Sequence, residues 1–315
     1  MRVLLLGSLA VALAACSTDS RRADRSELSV QPARPGGEPA VAGAGAREGA
    51  GRSERSSSSG GVARRWLLYL PRAASASAAL PLVFNLHGSG GTPEDQLALS
   101  GLEALAESEG FVLVAPEGVD RMWNVPVDAA KADDVRFLAE LIDQVSALTS
   151  VDQLRVYATG FSGGGRMVSQ LACDLSERIA AVAAIGGIRF PGPCSNARSM
   201  PILAFHGTAD DTNPYAGGGR PYWGTGVEPA VSGWAEHNHC PTRSERPLAP
   251  STLAISYGGA GCGAEVALVR LDGFGHSWPD RIGTALAGGN ETADMTANQT
   301  FWSFFQRHPL PVAKP

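Results

Sequence analysis

Short, nearly continuous apolar segments alternate with stretches of helical periodicity over most of this sequence. Residues 82–86, 111–115 and 154–158 are apolar runs of the kind that forms strands buried on both faces. Between the second and third runs, apolar residues recur at helical spacing at positions 135, 138, 142 and 145. Strands that alternate with helices predict a mostly parallel central sheet with helices on both faces, so the predicted fold class is α/β.

One helix can be placed by the signals at its ends. Thr92 is a suitable N-cap, Pro93 suits the first helical position, and Asp95 completes a capping-box-like pair. Gly110 is a suitable stop signal. A single helix is therefore predicted between these two ends.

The N-terminus is typical of an exported protein. An apolar run from Val3 to Leu13 follows Met1 and Arg2, and it is shorter than the ~20 residues that a membrane-spanning helix requires. Small residues follow the run, as they do at the end of a secretory signal. Residues 1–15 are therefore predicted to be a signal peptide.

The end of this segment, Leu-Ala-Ala-Cys at residues 13–16, resembles the lipobox of bacterial lipoproteins. The resemblance implies that Cys16 is lipidated and anchors the protein to the membrane of the cell envelope, because several acyl chains on one cysteine make a firm anchor. The alternative is a plain signal peptide whose removal discards Cys16. Both alternatives predict an extracellular or periplasmic protein.

Composition separates a tether from a folded domain. Residues 16–60 are rich in Ser, Gly, Ala, Pro and Arg, so they cannot bury enough apolar surface to offset the entropy of ordering, and a flexible tether is predicted. Residues 61–315 are predicted to form one α/β domain. The formal net charge of -5 and the lack of a long basic run exclude a nucleic-acid partner and favour neutral or weakly charged substrates.

Four cysteines follow Cys16 in the sequence, and an even number outside the cytoplasm predicts two disulfides. Four cysteines allow three pairings. We favour the bonds Cys173–Cys194 and Cys240–Cys262, because each closes a loop of about twenty residues without crossing an intervening core strand.

A metal site is the competing use of this region. His237, His239 and Cys240 are close in sequence, but a second spaced pair of ligands is missing. No metal and no organic cofactor is therefore predicted.

Ser162 is the candidate nucleophile. It stands in the segment Gly160-Phe161-Ser162-Gly163-Gly164, a G-x-S-x-G motif directly between a predicted strand and a predicted helix. Such a turn lifts the serine hydroxyl above the carboxyl edge of the sheet and places the N–H of Gly163 at a helix start, where it can donate to an oxyanion. The alternative is a glycine-rich turn that only permits close packing.

His276 is the candidate general base among the six histidines. It lies in a glycine-containing loop just after the apolar run 266–271, where it can reach a serine at the same sheet edge. His87 and His206 each end a buried strand in a His-Gly pair, which suits a structural role. The other three, His237, His239 and His308, are predicted to be solvated.

A base of this kind needs an acid to orient it, and Asp210 and Asp211 are the candidates. Both follow the apolar run 202–205. We favour Asp210, and the order Ser162, Asp210, His276 is the order found in α/β-hydrolases. For the second oxyanion donor we favour the N–H of Ser89, in the small-residue loop after the run 82–86, with Gly90 as the alternative.

The candidate residues lie in longer stretches that match one family. These stretches together resemble the secreted polyhydroxybutyrate-depolymerase and feruloyl-esterase family of α/β-hydrolases. The resemblance implies an α/β-hydrolase fold, a carboxylic ester hydrolase with a Ser-His-Asp triad, and the two disulfides given above. It covers nearly all of residues 62–305, and the matching stretches are residues 86–88, 115–118, 123–124, 133–135, 160–165, 206–210 and 275–279.

Three departures from the family bear on the substrate. Gly163 stands where close relatives often have asparagine, Ser89 stands where depolymerases of solid polyester have cysteine, and no further module follows Pro315. These departures favour a soluble hydroxyalkanoate or aromatic ester over a crystalline polymer.

Aromatic residues are candidates for substrate binding. Tyr215 begins a glycine-rich segment after Asp210, and together with Trp123 and Trp278 it could stack on a feruloyl-type group. Packing of this segment on its own scaffold is the alternative. Two rival functions share the motifs: a prolyl-oligopeptidase-like peptidase, which usually has a large accessory domain, and a non-catalytic surface lipoprotein with a hydrolase fold.

Overall fold

A computed structural model describes residues 49–75, 78–195, 197–279 and 296–312. Its helices are α1 (Pro93–Ser100), α2 (Leu102–Glu109), α3 (Asp134–Leu148), α4 (Gly163–Asp174), α5 (Val227–His237) and α6 (Ala297–Arg307). Its strands are β1 (Gly51–Ser59), β2 (Val62–Leu70), β3 (Leu80–Leu86), β4 (Val112–Pro116), β5 (Val151–Phe161), β6 (Ala181–Ile185), β7 (Ile202–Gly207), β8 (Thr242–Ala249), β9 (Thr252–Gly258) and β10 (Val266–Leu271).

The strands form one ten-stranded sheet in the order β1-β2-β4-β3-β5-β6-β7-β10-β9-β8. Neighbouring strands from β4 to β10 are parallel, and the pairs at both edges are antiparallel. Every residue of the central strands β4, β6 and β7 is buried, which explains their continuous apolar sequences. The predicted α/β class with a mostly parallel sheet is confirmed, and the fold is that of the α/β-hydrolases.

Helices cover both faces of this sheet. Apolar side chains of α3, α4 and α5 pack into the core on one face, and those of α1, α2 and α6 pack into the core on the other. The predicted helix beginning at Thr92 has its capping box with Asp95, but it is broken at Gly101. Gly101 has φ +63, a left-handed conformation that ends α1 and lets α2 start in a new direction.

The start of the folded region differs from the prediction. Residues 51–59 were assigned to the tether, with the domain starting at residue 61, whereas the structure pairs β1 with β2 from Gly51 opposite Leu70 to Ser59 opposite Val62. The turn consists of Gly60 and Gly61, with φ +57 and +82, as a tight hairpin requires. The side chains of β1 are polar, and most of them alternate between half-buried and exposed positions along this edge of the sheet. A strand therefore forms there without an apolar sequence.

Residues 1–48 lie outside the described residues, and with them the predicted signal peptide, Cys16 and most of the tether. In the part of the chain that is described, no helix combines the length and the apolar character needed to cross a bilayer.

The two disulfides have the pairing that loop length favoured. Cys173 at the end of α4 is bonded to Cys194, and Cys240 is bonded to Cys262. Cys240 is therefore not free to bind a metal together with His237 and His239. Across the described ranges, no group of three potential metal ligands occurs.

Candidate active site

Ser162 lies on a strained turn between β5 and α4. Its φ of 53° and ψ of −110° are unusual for a residue with a side chain, and such a conformation costs about 1–3 kcal/mol. The backbone holds it in place: its N–H donates to the carbonyl of Ile185 at 2.8 Å, and its carbonyl accepts from the N–H of Arg166 at 3.0 Å. The predicted strand-to-helix turn at residues 160–164, here called the elbow, is therefore present at the carboxyl edge of the parallel strands.

Close packing explains the glycines of this turn. A Cβ atom on Gly160 would lie 2.6 Å from the carbonyl carbon of Gly164, and one on Gly164 would lie 2.1 Å from the carbonyl oxygen of Leu86. Real Cβ atoms do not approach the backbone so closely. Glycine at 160 therefore lets the start of α4 pack against the end of β5, and glycine at 164 lets it pack against the end of β3.

We expect the substitution Gly164→Ala to lower the free energy of unfolding by about 3 kcal/mol, because the added methyl group overlaps rigid backbone of β3. Urea unfolding followed by circular dichroism measures the change. Gly258→Ala is the matched control, since a Cβ atom there has no neighbour within 4 Å. Equal midpoints for the two variants would contradict the packing argument.

The structure brings the predicted oxyanion donors together. A Cβ atom on Gly163 would lie only 2.9 Å from the backbone nitrogen of Ser89, so the two segments are in close contact. The N–H of the alternative donor, Gly90, already donates to the carbonyl of Arg121 at 2.8 Å. Ser89 N–H makes no hydrogen bond within the described part of the chain, which favours Ser89 over Gly90.

Asp210 and His276 are joined by a hydrogen bond of 2.7 Å between Asp210 Oδ2 and His276 Nδ1. Asp210 follows β7 and His276 follows β10, and these two strands are parallel neighbours whose carboxyl ends lie side by side. The other oxygen, Oδ1, accepts from the N–H groups of Asn213 at 2.7 Å and Thr212 at 3.0 Å. The aspartate is buried, with 4% of its surface exposed, and the hydrogen bonds to both of its oxygens hold the carboxylate in one orientation.

The surroundings keep Asp210 ionised. Burial opposes the charge, but hydrogen bonds from His206, His276 and the backbone of Asn213 outweigh burial and hold the pKa of Asp210 well below its usual value. Asp211 is exposed, and its one hydrogen bond within the described ranges is accepted from its neighbour Thr212 Oγ1 at 3.4 Å. These contacts favour Asp210, as the sequence analysis did.

His206 contacts the same carboxylate, which the sequence analysis did not foresee. Its Nε2 lies 3.2 Å from Asp210 Oδ2 and 2.9 Å from the carbonyl oxygen of Asn213, so Nε2 carries the hydrogen and donates. The ring is buried and stacks on Trp223 with 5.6 Å between centroids. The sequence carries no signal for this contact, because a spacing of four residues at a strand end does not determine where the two side chains point.

The imidazole of His276 lies beside the elbow. Its ring centroid is 4.7 Å from that of Phe161, the residue before Ser162, and a Cβ atom on Gly186 would lie 3.5 Å from its Cε1. Because Nδ1 is bonded to Asp210, Nε2 is the nitrogen left for the serine. The described residues include no hydrogen bond between Ser162 Oγ and His276, and such bonds often tighten only when substrate is bound.

Two of the three predicted substrate-binding aromatics have structural contacts instead. Trp278 is 3% exposed, and its Nε1 donates to Asn298 Oδ1 on α6 at 2.9 Å. The hydroxyl of Tyr215 donates to Glu228 Oε1 at 3.0 Å. Each of these side chains has its polar group bonded to a neighbouring helix, which favours packing on their own scaffold, and their assignment to substrate binding stays a prediction.

Trp123 has a different position. Its Nε1 donates to the carbonyl of His87 at 2.8 Å, which ties it to the loop that carries Ser89. It also lines a cavity of about 470 Å³ together with Met122, an exposed apolar residue. This cavity is a candidate binding site for part of a substrate.

Comparisons with known proteins find that this chain is similar to esterases. The family model described as Esterase PHB depolymerase matches residues 65–216. Feruloyl esterase B of Piromyces equi is 30% identical over 69% of this chain, and the chain spans only 43% of the length of that relative. Feruloyl esterase C of Emericella nidulans is 28% identical, with 77% of this chain and 83% of the relative covered.

A likeness to solved structures supports the fold alone. The acetyl xylan esterase from Aspergillus awamori superimposes with a TM-score of 0.54 and 14% identity, and the match covers 71% of this chain and 94% of that one.

Proposed function

This chain belongs to the family of polyhydroxybutyrate-depolymerase esterases and feruloyl esterases, and from that premise we propose that it is a serine carboxylic ester hydrolase. In this proposal Ser162 is the nucleophile, His276 the general base and Asp210 the acid that orients the base. The N–H groups of Ser89 and Gly163 form the oxyanion hole.

The proposed reaction is acyl transfer in two steps. Ser162 Oγ attacks the ester carbonyl while its proton passes to His276 Nε2, and the two N–H groups stabilise the negative oxygen of the tetrahedral intermediate. The imidazolium then protonates the leaving alcohol, and an acyl-enzyme remains. Water attacks this acyl-enzyme by the same route and releases the acid. Asp210 stabilises the imidazolium in both steps.

The hydrogen bond between Asp210 and His276, beside the strained Ser162, is the observation that carries the proposal. It fixes the tautomer in which Nε2 can accept a proton. The strain at Ser162 adds support, because a residue is held in such a conformation only where the surrounding structure enforces it.

We propose soluble esters, of hydroxyalkanoate or feruloyl type, as the substrates. The relatives named above are feruloyl esterases, and the cavity that Trp123 lines with both apolar and charged residues lies beside the loop that carries Ser89. The two disulfides fit an extracytoplasmic protein. Export by the signal in residues 1–15 and anchoring through lipid on Cys16 are parts of the proposal that rest on the sequence.

Labelling by a fluorophosphonate probe tests the proposal, because this reagent phosphonylates an activated serine. We expect the protein to be labelled at Ser162 and to hydrolyse short p-nitrophenyl and feruloyl esters, but not aminoacyl amides. Labelling that survives Ser162→Ala, or the absence of labelling and ester turnover, would favour a non-catalytic binding protein. Turnover of amides would favour a peptidase.

A further inference from the structure

Two arginines near the turn at Ser162 have no acidic partner among the residues that the structure describes. Arg166 lies on the first turn of α4 and is 5% exposed, and Arg189 lies in the loop after β6. None of the ion pairs formed by the described residues includes either of them, whereas the buried Arg64 is paired with Asp134. An unpaired cation in a protein interior is costly, so such a pair of arginines calls for an explanation.

The guanidinium of Arg166 contacts the loop that carries Ser89. Its Nη2 donates to Ser89 Oγ at 3.0 Å, and its Cζ lies 4.3 Å from the ring centroid of Tyr222. Its Nε is buried and has no hydrogen-bond partner among the residues the structure describes. Burial lowers the pKa of Arg166, the contact with Tyr222 opposes this shift, and the positive charge of Arg189 adds to it.

The backbone of Arg189 is bonded to the same helix, α4. Its N–H donates to the hydroxyl of Ser169, one turn along α4 from Arg166, at 3.1 Å. Its carbonyl accepts from Trp234 Nε1 at 2.6 Å. The residue is half-buried, so part of it remains accessible to a ligand.

We propose that Arg166 and Arg189 form a subsite for a carboxylate carried by the ester substrate. A carboxylate accepts charge-assisted hydrogen bonds from guanidinium groups, and Arg166 Nε is a donor that lacks an acceptor. The subsite adjoins Ser89, so the carboxylate lies close to the reacting ester. The preferred substrates are then esters with a free acid group, such as short oligomers of a hydroxy acid, rather than neutral esters. This inference rests on the proposed function.

Matched pairs of esters test the subsite. The dimer of 3-hydroxybutyrate, with its free carboxylate on the leaving alcohol, is compared with the corresponding terminal amide, which is neutral. Methyl hydrogen glutarate and methyl glutaramate make the same comparison of a carboxylate with a neutral amide, here on the acyl side of the ester. We expect kcat/KM to favour the acid about tenfold or more in at least one pair, because a hydrogen bond to a charged group is worth that much. The pair that shows the preference locates the carboxylate.

The ratio of kcat/KM for acid and amide is then measured in variants. Arg189→Met and Arg166→Met should each bring the ratio close to one, and Arg189→Glu should favour the amide. Arg189 is the safer position, because Arg166 also supports Ser89. Arg136→Met, which removes an exposed arginine paired with Glu140 on α3, is the control and should keep the wild-type ratio.

A wild-type enzyme that shows no preference for the acid in either pair would overturn the subsite, as would a preference that persists in all three variants. Hydrolysis of p-nitrophenyl acetate separates this result from failure of the proposed function. If that ester is cleaved, only the subsite is lost; if no ester is cleaved, the ester-hydrolase proposal fails and the subsite fails with it.

Discussion

Replacing Ser162 by alanine should lower kcat by a factor on the order of 10⁵ to 10⁶, because the covalent route then no longer exists. The fold should be kept. Ser162 is 7% exposed, and its side chain makes no hydrogen bond within the described part of the chain, so its loss leaves no buried group unpaired. Alanine also avoids a larger side chain at a position with positive φ.

Discontinuous assays of p-nitrophenyl acetate hydrolysis, with protein at micromolar concentration, measure this loss of kcat. Ser108→Ala is the matched control, because Ser108 is exposed on α2 and its hydroxyl only donates to the carbonyl of Leu105. A Ser162→Ala variant that keeps more than about a hundredth of the wild-type kcat would contradict the assigned nucleophile, since the oxyanion hole and binding alone leave far less.

Asp210→Asn should reduce kcat/KM by about 10⁴-fold with the fold unchanged. An amide of the same shape can donate to His276 Nδ1, and this holds the imidazole in the tautomer whose Nε2 carries a hydrogen. That nitrogen can then no longer accept the proton of Ser162. Loss of the negative charge also removes the stabilisation of the imidazolium.

Asp211→Asn provides an internal comparison, because the two carboxylates are adjacent in sequence but differ in their contacts. Asp211 is exposed and, among the described residues, bonds to Thr212 alone, so this variant should keep most of the activity. Circular dichroism and urea unfolding of both variants separate misfolding from loss of chemistry. A large loss in Asp211→Asn together with an active Asp210→Asn would reverse the assignment of the acid.

The central part of the fold could be predicted from the sequence because strands buried on both faces have continuous apolar sequences. Strands such as β4 and β6 are continuous apolar runs, and a helix such as α3 shows apolar residues at helical spacing. The edge strand β1 could not be recognised from composition. Its side chains are polar because only one neighbour pairs with it, and the Gly60-Gly61 turn was the one signal for a hairpin.

The candidate site also contains residues that could be predicted from the sequence and residues that could not. Ser162, Asp210 and His276 each follow a strand, so the topology of a parallel sheet predicts that they meet at one edge. His206 and Arg166 gave no such signal. Their contacts with Asp210 and Ser89 depend on where side chains point after folding, and neither strand position nor spacing determines that. The same is true of the indole rings, because burial of Trp278 against α6 is a tertiary contact.

The adjacency of β7 and β10 has a consequence for the evolution of chains of this kind. The intervening β8 and β9 form a hairpin at the far edge of the sheet, beyond β10. The turn of the hairpin is constrained, because the carbonyl of Ser251 accepts a hydrogen bond from the N–H of Asp272 at 2.8 Å, directly after β10. Exposed positions elsewhere between the two strands, such as 218–220, can change in number without shifting the strand ends that carry Asp210 and His276. A homology search that requires a fixed interval between aspartate and histidine would therefore pass over true members of the lineage.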